Sequence, residues 1–225
     1  MSEATLQLGD TLQQYLDAAS LREPAPCRRL RKAARERDDR HLISSPEQVQ
    51  LLALLGRLIG ARRVLEVGTY VGYTPLWLAL ALDAEARLTC IDRDREVTGI
   101  AREAWDAAGV GERMELLREP AADALAALLD EGRVATYDLA YIDADKEGQV
   151  DHYEQCLKLV RPGGLVGVDN TLWSGRVADP GDTSPTTEAV RRFNAYVHGD
   201  ERVDLSLVPI GDGLTLLRRR EPAEG

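Results

Sequence analysis

Cysteine, histidine and long apolar runs are all scarce in this chain of 225 residues. Its three cysteines, Cys27, Cys90 and Cys156, are odd in number and far apart, with no C-x-x-C pair. That usage points to a reducing, cytoplasmic setting. None of the three histidines stands at metal-ligand spacing, which argues against zinc. No run of about 18 apolar residues occurs, and the opening MSEATLQLGDTLQQYL has neither a cationic start nor an apolar core, so no membrane or export role is expected. Positive charge is also in the minority. With 28 Lys and Arg against 38 Asp and Glu, the formal net charge of −10 repels phosphate backbones, and nucleic acid is not an expected partner. One stretch runs against that total: Arg22, Arg28, Arg29, Arg31, Lys32, Arg35, Arg37 and Arg40 lie within nineteen residues. It reads either as the solvated face of an amphipathic helix or as a site for an anionic group on a small substrate.

The length suffices to bury roughly 70% of the unfolded surface without covalent staples. Residues 4–20 carry Leu6, Leu12, Leu16 and Ala19 at roughly helical spacing, and a charged helix over 26–37 follows Pro24-Ala25-Pro26. Ser45-Pro46-Glu47-Gln48 combines an N-cap, a proline at the first helical position and a capping-box glutamine. A helix is expected from there to about Ile59, with Val49, Leu52, Leu55 and Ile59 on its apolar face. From Arg62 onward short apolar runs alternate with helical stretches, which is the pattern of βαβ units on a parallel sheet. Strands are expected at 63–67, 87–91, 114–117, 137–142 and 164–168, and helices at about 74–82, 94–108, 121–129, 148–160 and 186–198. Gly163-Gly164 reads as the break between the fourth of those helices and its strand, and Ser174–Pro185 as a loop. Gly211-Asp212-Gly213 between apolar runs at 203–209 and 213–218 predicts a final antiparallel pair. No repeat or low-complexity segment interrupts the chain. The whole of 1–225 reads as one domain, with accessory helices over 1–40 and a core over 42–219.

Two stretches carry the chemistry. In the first, Val64-Leu65-Glu66-Val67-Gly68-Thr69-Tyr70-Val71-Gly72-Tyr73-Thr74, an apolar strand runs into a glycine turn that opens a helix. Glycine there lets the backbone approach a ligand or take φ > 0. Twenty residues after Gly72 the next strand ends at Asp92, whose carboxylate can accept the hydroxyls of an adenosine ribose or simply cap a helix. The spacing is G-x-x-x-G, and Glu66 stands two residues before the first glycine. That acid would repel a dinucleotide's diphosphate and suits a cationic ligand, which favours S-adenosylmethionine over NAD.

The second stretch, Arg133 to Trp173, holds two short strands. The first ends in Asp143, Asp145 and Lys146, and the second in Asp169 and Asn170. In an open parallel sheet both clusters lie at the strand edge where ligands bind. Asp143, Asp169 and Asn170 offer hard oxygens only, a set suited to Mg²⁺, Mn²⁺ or Ca²⁺. Simpler alternatives stand beside these: Asp-Asn as an Asx turn, Asp145 as a helix cap, and Lys146 as a surface lysine paired with Glu147 or Asp145.

Together, Glu66-x-Gly68-x-x-x-Gly72-Tyr73-Thr74, Tyr141-Ile142-Asp143-Ala144-Asp145-Lys146, Gly163-Gly164, Asp169-Asn170-Thr171-Leu172-Trp173 and Pro209-Ile210-Gly211-Asp212-Gly213 resemble the cation-dependent O-methyltransferases of the caffeoyl-CoA and catechol type, over about residues 42–219. The resemblance implies an α/β, Rossmann-like class I methyltransferase fold: a seven-stranded, mostly parallel sheet with an antiparallel last strand. It implies S-adenosylmethionine and Mg²⁺ as cofactors, a small phenolic acceptor, and a homodimer. By the same resemblance Asp143, Asp169 and Asn170 are the metal ligands and Lys146 the base. Ser44, Glu66, Gly68, Thr69, Thr74, Asp92, Ala121 and Asp145 surround the methyl donor. Lys146 can take the acceptor's proton provided that burial and the cation leave part of it neutral. Leu42 and Ile43 stand where relatives often carry methionine, and Ser174 where plant enzymes carry an asparagine, so the acceptor is left open. The rivals are an NAD(P)-dependent oxidoreductase and a non-catalytic module that only binds the cofactor.

Overall fold

The short apolar runs between residues 63 and 168 pair with one another in parallel, and the helices that follow them cover the faces of the sheet. The structure, a computed structural model, describes residues 8–221. Its strands are β1 (Arg63–Val67), β2 (Arg87–Ile91), β3 (Met114–Leu117), β4 (Tyr137–Ile142), β5 (Val160–Val168), β6 (Val203–Val208) and β7 (Leu214–Arg219). They form one sheet in the order β3-β2-β1-β4-β5-β7-β6. Strand β7 is antiparallel to both β5 and β6, and the other six run one way. This is the Rossmann-like class I methyltransferase sheet. Its strand order reverses between β1 and β4, where such sheets open a crevice.

The helices are α1 (Asp10–Ser20), α2 (Ala25–Ala34), α3 (Pro46–Leu58), α4 (Tyr73–Ala81), α5 (Arg95–Ala107), α6 (Ala121–Asp130), α7 (Gln149–Leu159) and α8 (Pro185–His198). Strand alternation sorts the core into two layers. Val64, Leu88, Leu139 and Tyr141 pack with α2 to α5. Leu65, Val67, Ile91, Ala140 and Ile142 pack with α6 to α8. Glu66 and Asp143 fall on the α3–α4 side by the same count.

Several local expectations change. The helix expected over 4–20 begins at Asp10, residues 4–7 lie outside the described ones, and α1 buries none of its side chains. The charged helix ends at Ala34, since residues 35–39 turn and Arg40–Leu42 form a 3-10 turn. Gly163 and Gly164 do not separate α7 from its strand. β5 starts at Val160 and carries both glycines inside it, beside a register shift against β4. There a Cβ on Gly164 would lie 2.8 Å from the Asp138 carbonyl oxygen, so the glycine permits close strand approach. The Ser174–Pro185 segment holds a 3-10 turn, Trp173–Ala178, and Pro185 already belongs to α8.

The arginine-rich segment is mostly a solvated face. Cys27, Leu30 and Ala34 form the buried side of α2, while Arg29, Lys32 and Arg35 are exposed. Its anchor is Glu23, which accepts from Arg31 Nε at 2.7 Å, Arg31 Nη2 at 2.6 Å and the Tyr73 hydroxyl at 2.7 Å. Burial opposes the Glu23 charge, but those bonds outweigh it and hold the carboxyl below its ordinary value. Glu23→Gln is expected to cost about 2–3 kcal/mol in urea unfolding, because it leaves a guanidinium short of its counter-charge. A change under about 0.5 kcal/mol would mean that the cluster does not hold α2 in place.

Candidate active site

The parallel register carries one residue beyond the end of each central strand and sets the site there. Gly68 N–H donates to Ile91 O at 2.9 Å, Asp92 N–H to Leu117 O at 3.1 Å, Asp143 N–H to Val67 O at 2.8 Å and Asp169 N–H to Ile142 O at 3.0 Å. Each chemistry-bearing residue is thus the first past its strand, fixed by a ladder bond to the neighbouring strand. Gly68 sits where the crevice opens, with φ +91°, and a Cβ on it would stand 2.1 Å from the Asp143 carbonyl oxygen. Gly72, with φ +78°, leaves room for Ala101 and Trp105 of α5, and its carbonyl accepts from Trp105 Nε1 at 3.0 Å.

A narrow recess beside this turn is lined by Ser44, Glu66, Gly68, Thr69 and Thr74, and Asp143 of the other group of candidates reaches the same recess. Glu66 is 2% exposed and its Oε2 accepts from the Thr69 hydroxyl at 2.9 Å. Burial pushes its carboxyl well above the ordinary range, and the nearby Asp143 and Asp92 push the same way against the Thr69 bond. Thr74 Oγ1 donates to Ser44 Oγ at 3.2 Å, and Ser44 Oγ lies 3.5 Å from Asp143 Oδ2.

Asp92 is engaged by the backbone around it. Its Oδ2 accepts from the Thr69 and Tyr70 amides at 3.2 and 2.8 Å, and its Oδ1 from the Asp94 amide at 2.9 Å. It ties the glycine turn to β2, while Asp94 caps α5 through the Glu96 and Val97 amides. Of the roughly four acceptor directions of a carboxylate, about one stays open.

Across the crevice Asp143 and Asp169 meet a buried Lys146, whose Nζ is 3.3 Å from Asp143 Oδ1. Lys146 is 8% exposed and Asp169 3%. Burial first, and then the charge of Asp143, pushes the Asp169 carboxyl up to about 7. The Tyr141 hydroxyl donates to Asp169 Oδ2 at 2.5 Å, and burial and the two aspartates keep that phenol protonated far above its usual range. Asn170 follows at φ +57° and is half-buried at the same edge. Among the described residues no three His, Cys, Asp or Glu side chains form a metal cluster by themselves. Asp145 is the most exposed of the set. Its Oδ2 accepts from the Gly148 amide at 2.9 Å and its Oδ1 lies 3.2 Å from His152 Nε2, so it does brace the turn into α7.

One cavity of about 1180 Å³ joins these groups, from Asp92 and Ala121 through Asp145 and Lys146 to Asn170, Trp173 and Asp212. That exceeds the usual range for a single small ligand, about 300–1,000 Å³, and accommodates two. Two wall residues escaped the sequence reading. Gln48 was expected to close a capping box, but Ser45 makes no side-chain cap bond and its Oγ is buried without a partner. Gln48 Nε2 instead donates to the Tyr141 hydroxyl at 2.8 Å and so orients the donor to Asp169. The available signal was a glutamine on the same helical stripe as Leu52. His152 was also missed; it is buried against Asp145 with no motif around it.

The O-methyltransferase family model matches residues 17–220. Catechol O-methyltransferase domain-containing protein 1 of Mus musculus is 42% identical over 205 residues, covering 91% of this chain and 78% of that protein. Caffeoyl-CoA O-methyltransferase 2 of Zea mays is 36% identical over 225 residues, covering 96% and 85%. Among solved structures, the O-methyltransferase TomG of Streptomyces achromogenes, in complex with SAM, superposes with a TM-score of 0.84 at 32% identity, covering 94% of this chain and 96% of that one. With the sheet order, the turn at Gly68 and the two strand-end clusters all in place, these likenesses agree on one conclusion: the chain belongs to the O-methyltransferase family.

Proposed function

We propose that the protein transfers a methyl group from S-adenosylmethionine to one hydroxyl of a vicinal dihydroxy aromatic, with a hard divalent cation held by Asp143, Asp169 and Asn170 and with Lys146 as the base. The observation that carries this reading is the cavity itself, large enough for two ligands, with the half-buried Asp143 and the buried Asp169 beside the buried Lys146 on its wall, and with Ser44, Gly68 and Asp143 shared with the recess of the buried Glu66. Burial of Asp169 and then the charge of the half-buried Asp143 beside it raise the Asp169 carboxyl, an arrangement that a cation would relieve. Their oxygens suit Mg²⁺ first, with Mn²⁺ and Ca²⁺ as alternatives. Such a cation, when bound, supplies the positive charge that makes a neighbouring hydroxyl easier to ionise.

The chain's own groups do the rest. Glu66 attracts the positive charge of the methyl donor, while Asp92 and Ala121 border the nucleoside end. Lys146 Nζ takes the proton of the acceptor hydroxyl as an O–C bond forms to the methyl and the C–S bond breaks, the electron pair leaving on sulfur. Trp173 and Leu42 wall the acceptor end and keep the two reactants in line. Free thiols take no part: Cys27, Cys90 and Cys156 are all buried, and burial pushes the Cys27 thiol up to about 12. A homodimer is part of the proposal, with Leu54 and Leu58 of α3, both exposed, as apolar surface for the second copy.

Methyl transfer from labelled S-adenosylmethionine to a catechol panel that includes caffeate tests the reading. EDTA is expected to lower the rate about 10²-fold or more, and Mg²⁺ to restore it. Transfer indifferent to EDTA would remove the cation from the mechanism. Cofactor binding without transfer to any catechol would favour a non-catalytic module.

A further inference from the structure

The acceptor end of the cavity, beyond β4, is short of positive charge. Two cationic side chains line the whole cavity among the described residues. Arg93 stands beside Asp92 at the nucleoside end, and Lys146 is buried against Asp143. Two acids line the acceptor end instead. Asp212 is half-buried and its Oδ1 accepts from the Ser174 amide, while Glu147 Oε1 accepts from the Thr186 hydroxyl at 2.7 Å. The second oxygen of each makes no hydrogen bond among the described residues, so both are fixed in place with an acceptor to spare.

The arginines of the bordering segment are committed elsewhere. Arg176 Nε pairs with Asp182 at 2.5 Å and its Nη2 with Ser184 at 3.2 Å. Arg191 donates to the carbonyls of Val177, Asp182, Arg176 and Asp179 and to Glu188. They brace the segment after Trp173 and leave no guanidinium fork for a phosphate. Arg40 is exposed and lies outside the cavity walls. A formal net charge of −10 opposes an approaching polyanion as well.

We infer that the acceptor is a free catechol whose side chain is neutral or cationic, rather than a phosphate-bearing conjugate such as a coenzyme A thioester. This rests on the catechol reading of the site proposed above. An ammonium on the side chain meets Asp212 and Glu147 at the rim. A diphosphate meets the same two acids and finds no cation to offset them.

The test compares kcat/KM for four dihydroxyphenyl acceptors that differ in the side chain: aminoethyl, hydroxyethyl, carboxyethyl, and the coenzyme A thioester of the dihydroxycinnamate. The aminoethyl and hydroxyethyl compounds are expected to exceed the thioester by about tenfold or more at low salt, with the gap narrowing as salt screens the rim charges. In Glu147→Gln/Asp212→Asn the ratio of aminoethyl to hydroxyethyl turnover is expected to fall toward one. A thioester used as well as the hydroxyethyl compound would overturn the inference while leaving the catechol reading intact. Absence of transfer to all four would overturn both.

Discussion

With Lys146 as the proposed base, Lys146→Ala is expected to lower kcat for methyl transfer about 10²–10⁴-fold, the usual contribution of a positioned general base, while S-adenosylmethionine still binds. The lysine is placed for this by the short Asp143-Ala144-Asp145-Lys146 segment after β4, which turns its side chain back under cover, with Nζ 3.3 Å from Asp143. It belongs to neither apolar layer of the core, so the loss is expected in kcat rather than in folding. Lys146→Arg does not rescue, because a guanidinium keeps its protons at every accessible pH. Calorimetric titration with the methyl donor and steady-state turnover on the same preparations separate the two effects. A kcat within about threefold of the parent in Lys146→Ala would move the base elsewhere.

Gly68→Ala is expected to remove both stability and cofactor binding. Two costs combine. The backbone there has φ +91°, which an L side chain adopts at about 1–2 kcal/mol, and the new Cβ would stand 2.1 Å from the Asp143 carbonyl oxygen. That oxygen belongs to the backbone of the next strand end, so relief requires parting β1 from β4 at the crevice. We expect a total of about 3–5 kcal/mol, or a fall in Tm on the order of 10 °C. Gly60→Ala separates the two terms, since Gly60 has φ +63° and nothing within 4 Å of a built Cβ. It should cost about 1 kcal/mol and leave binding unchanged. Equal losses in the two variants would show that strain alone, and not the approach of β4, fixes glycine at residue 68.

The βαβ rhythm was legible because strands buried on both faces must be short, apolar and separated by helices. The strands β1 to β4 fall at their expected residues for that reason. The antiparallel end was legible too, since Gly211 and Gly213 both take positive φ in a tight turn. Errors gathered where a local signal had a tertiary competitor. Gln48 has the spacing of a capping box, yet a bond to the buried Tyr141 hydroxyl is worth more than one to a solvated amide. Gly163-Gly164 looks like a stop, yet β5 continues through it because glycine lets two strands approach. The apolar side of α1 looks like a core face, but none of its side chains is buried.

The sequence by itself determined the order of elements, the family, and which side chains stand at the strand ends, because periodicity and spacing are properties of the chain alone. What it could not supply is the distance between groups far apart in the chain. Only the parallel register brings Asp143 beside Val67 and Asp169 beside Ile142, and so makes one crevice of two motifs. Tertiary packing likewise decided that Asp92 spends three acceptor positions on backbone amides, and that Arg176 and Arg191 face inward to their own loop. Charge is counted from a sequence, but whether a charge is spent on a neighbour or left for a ligand depends on burial and partners, which exist only after folding.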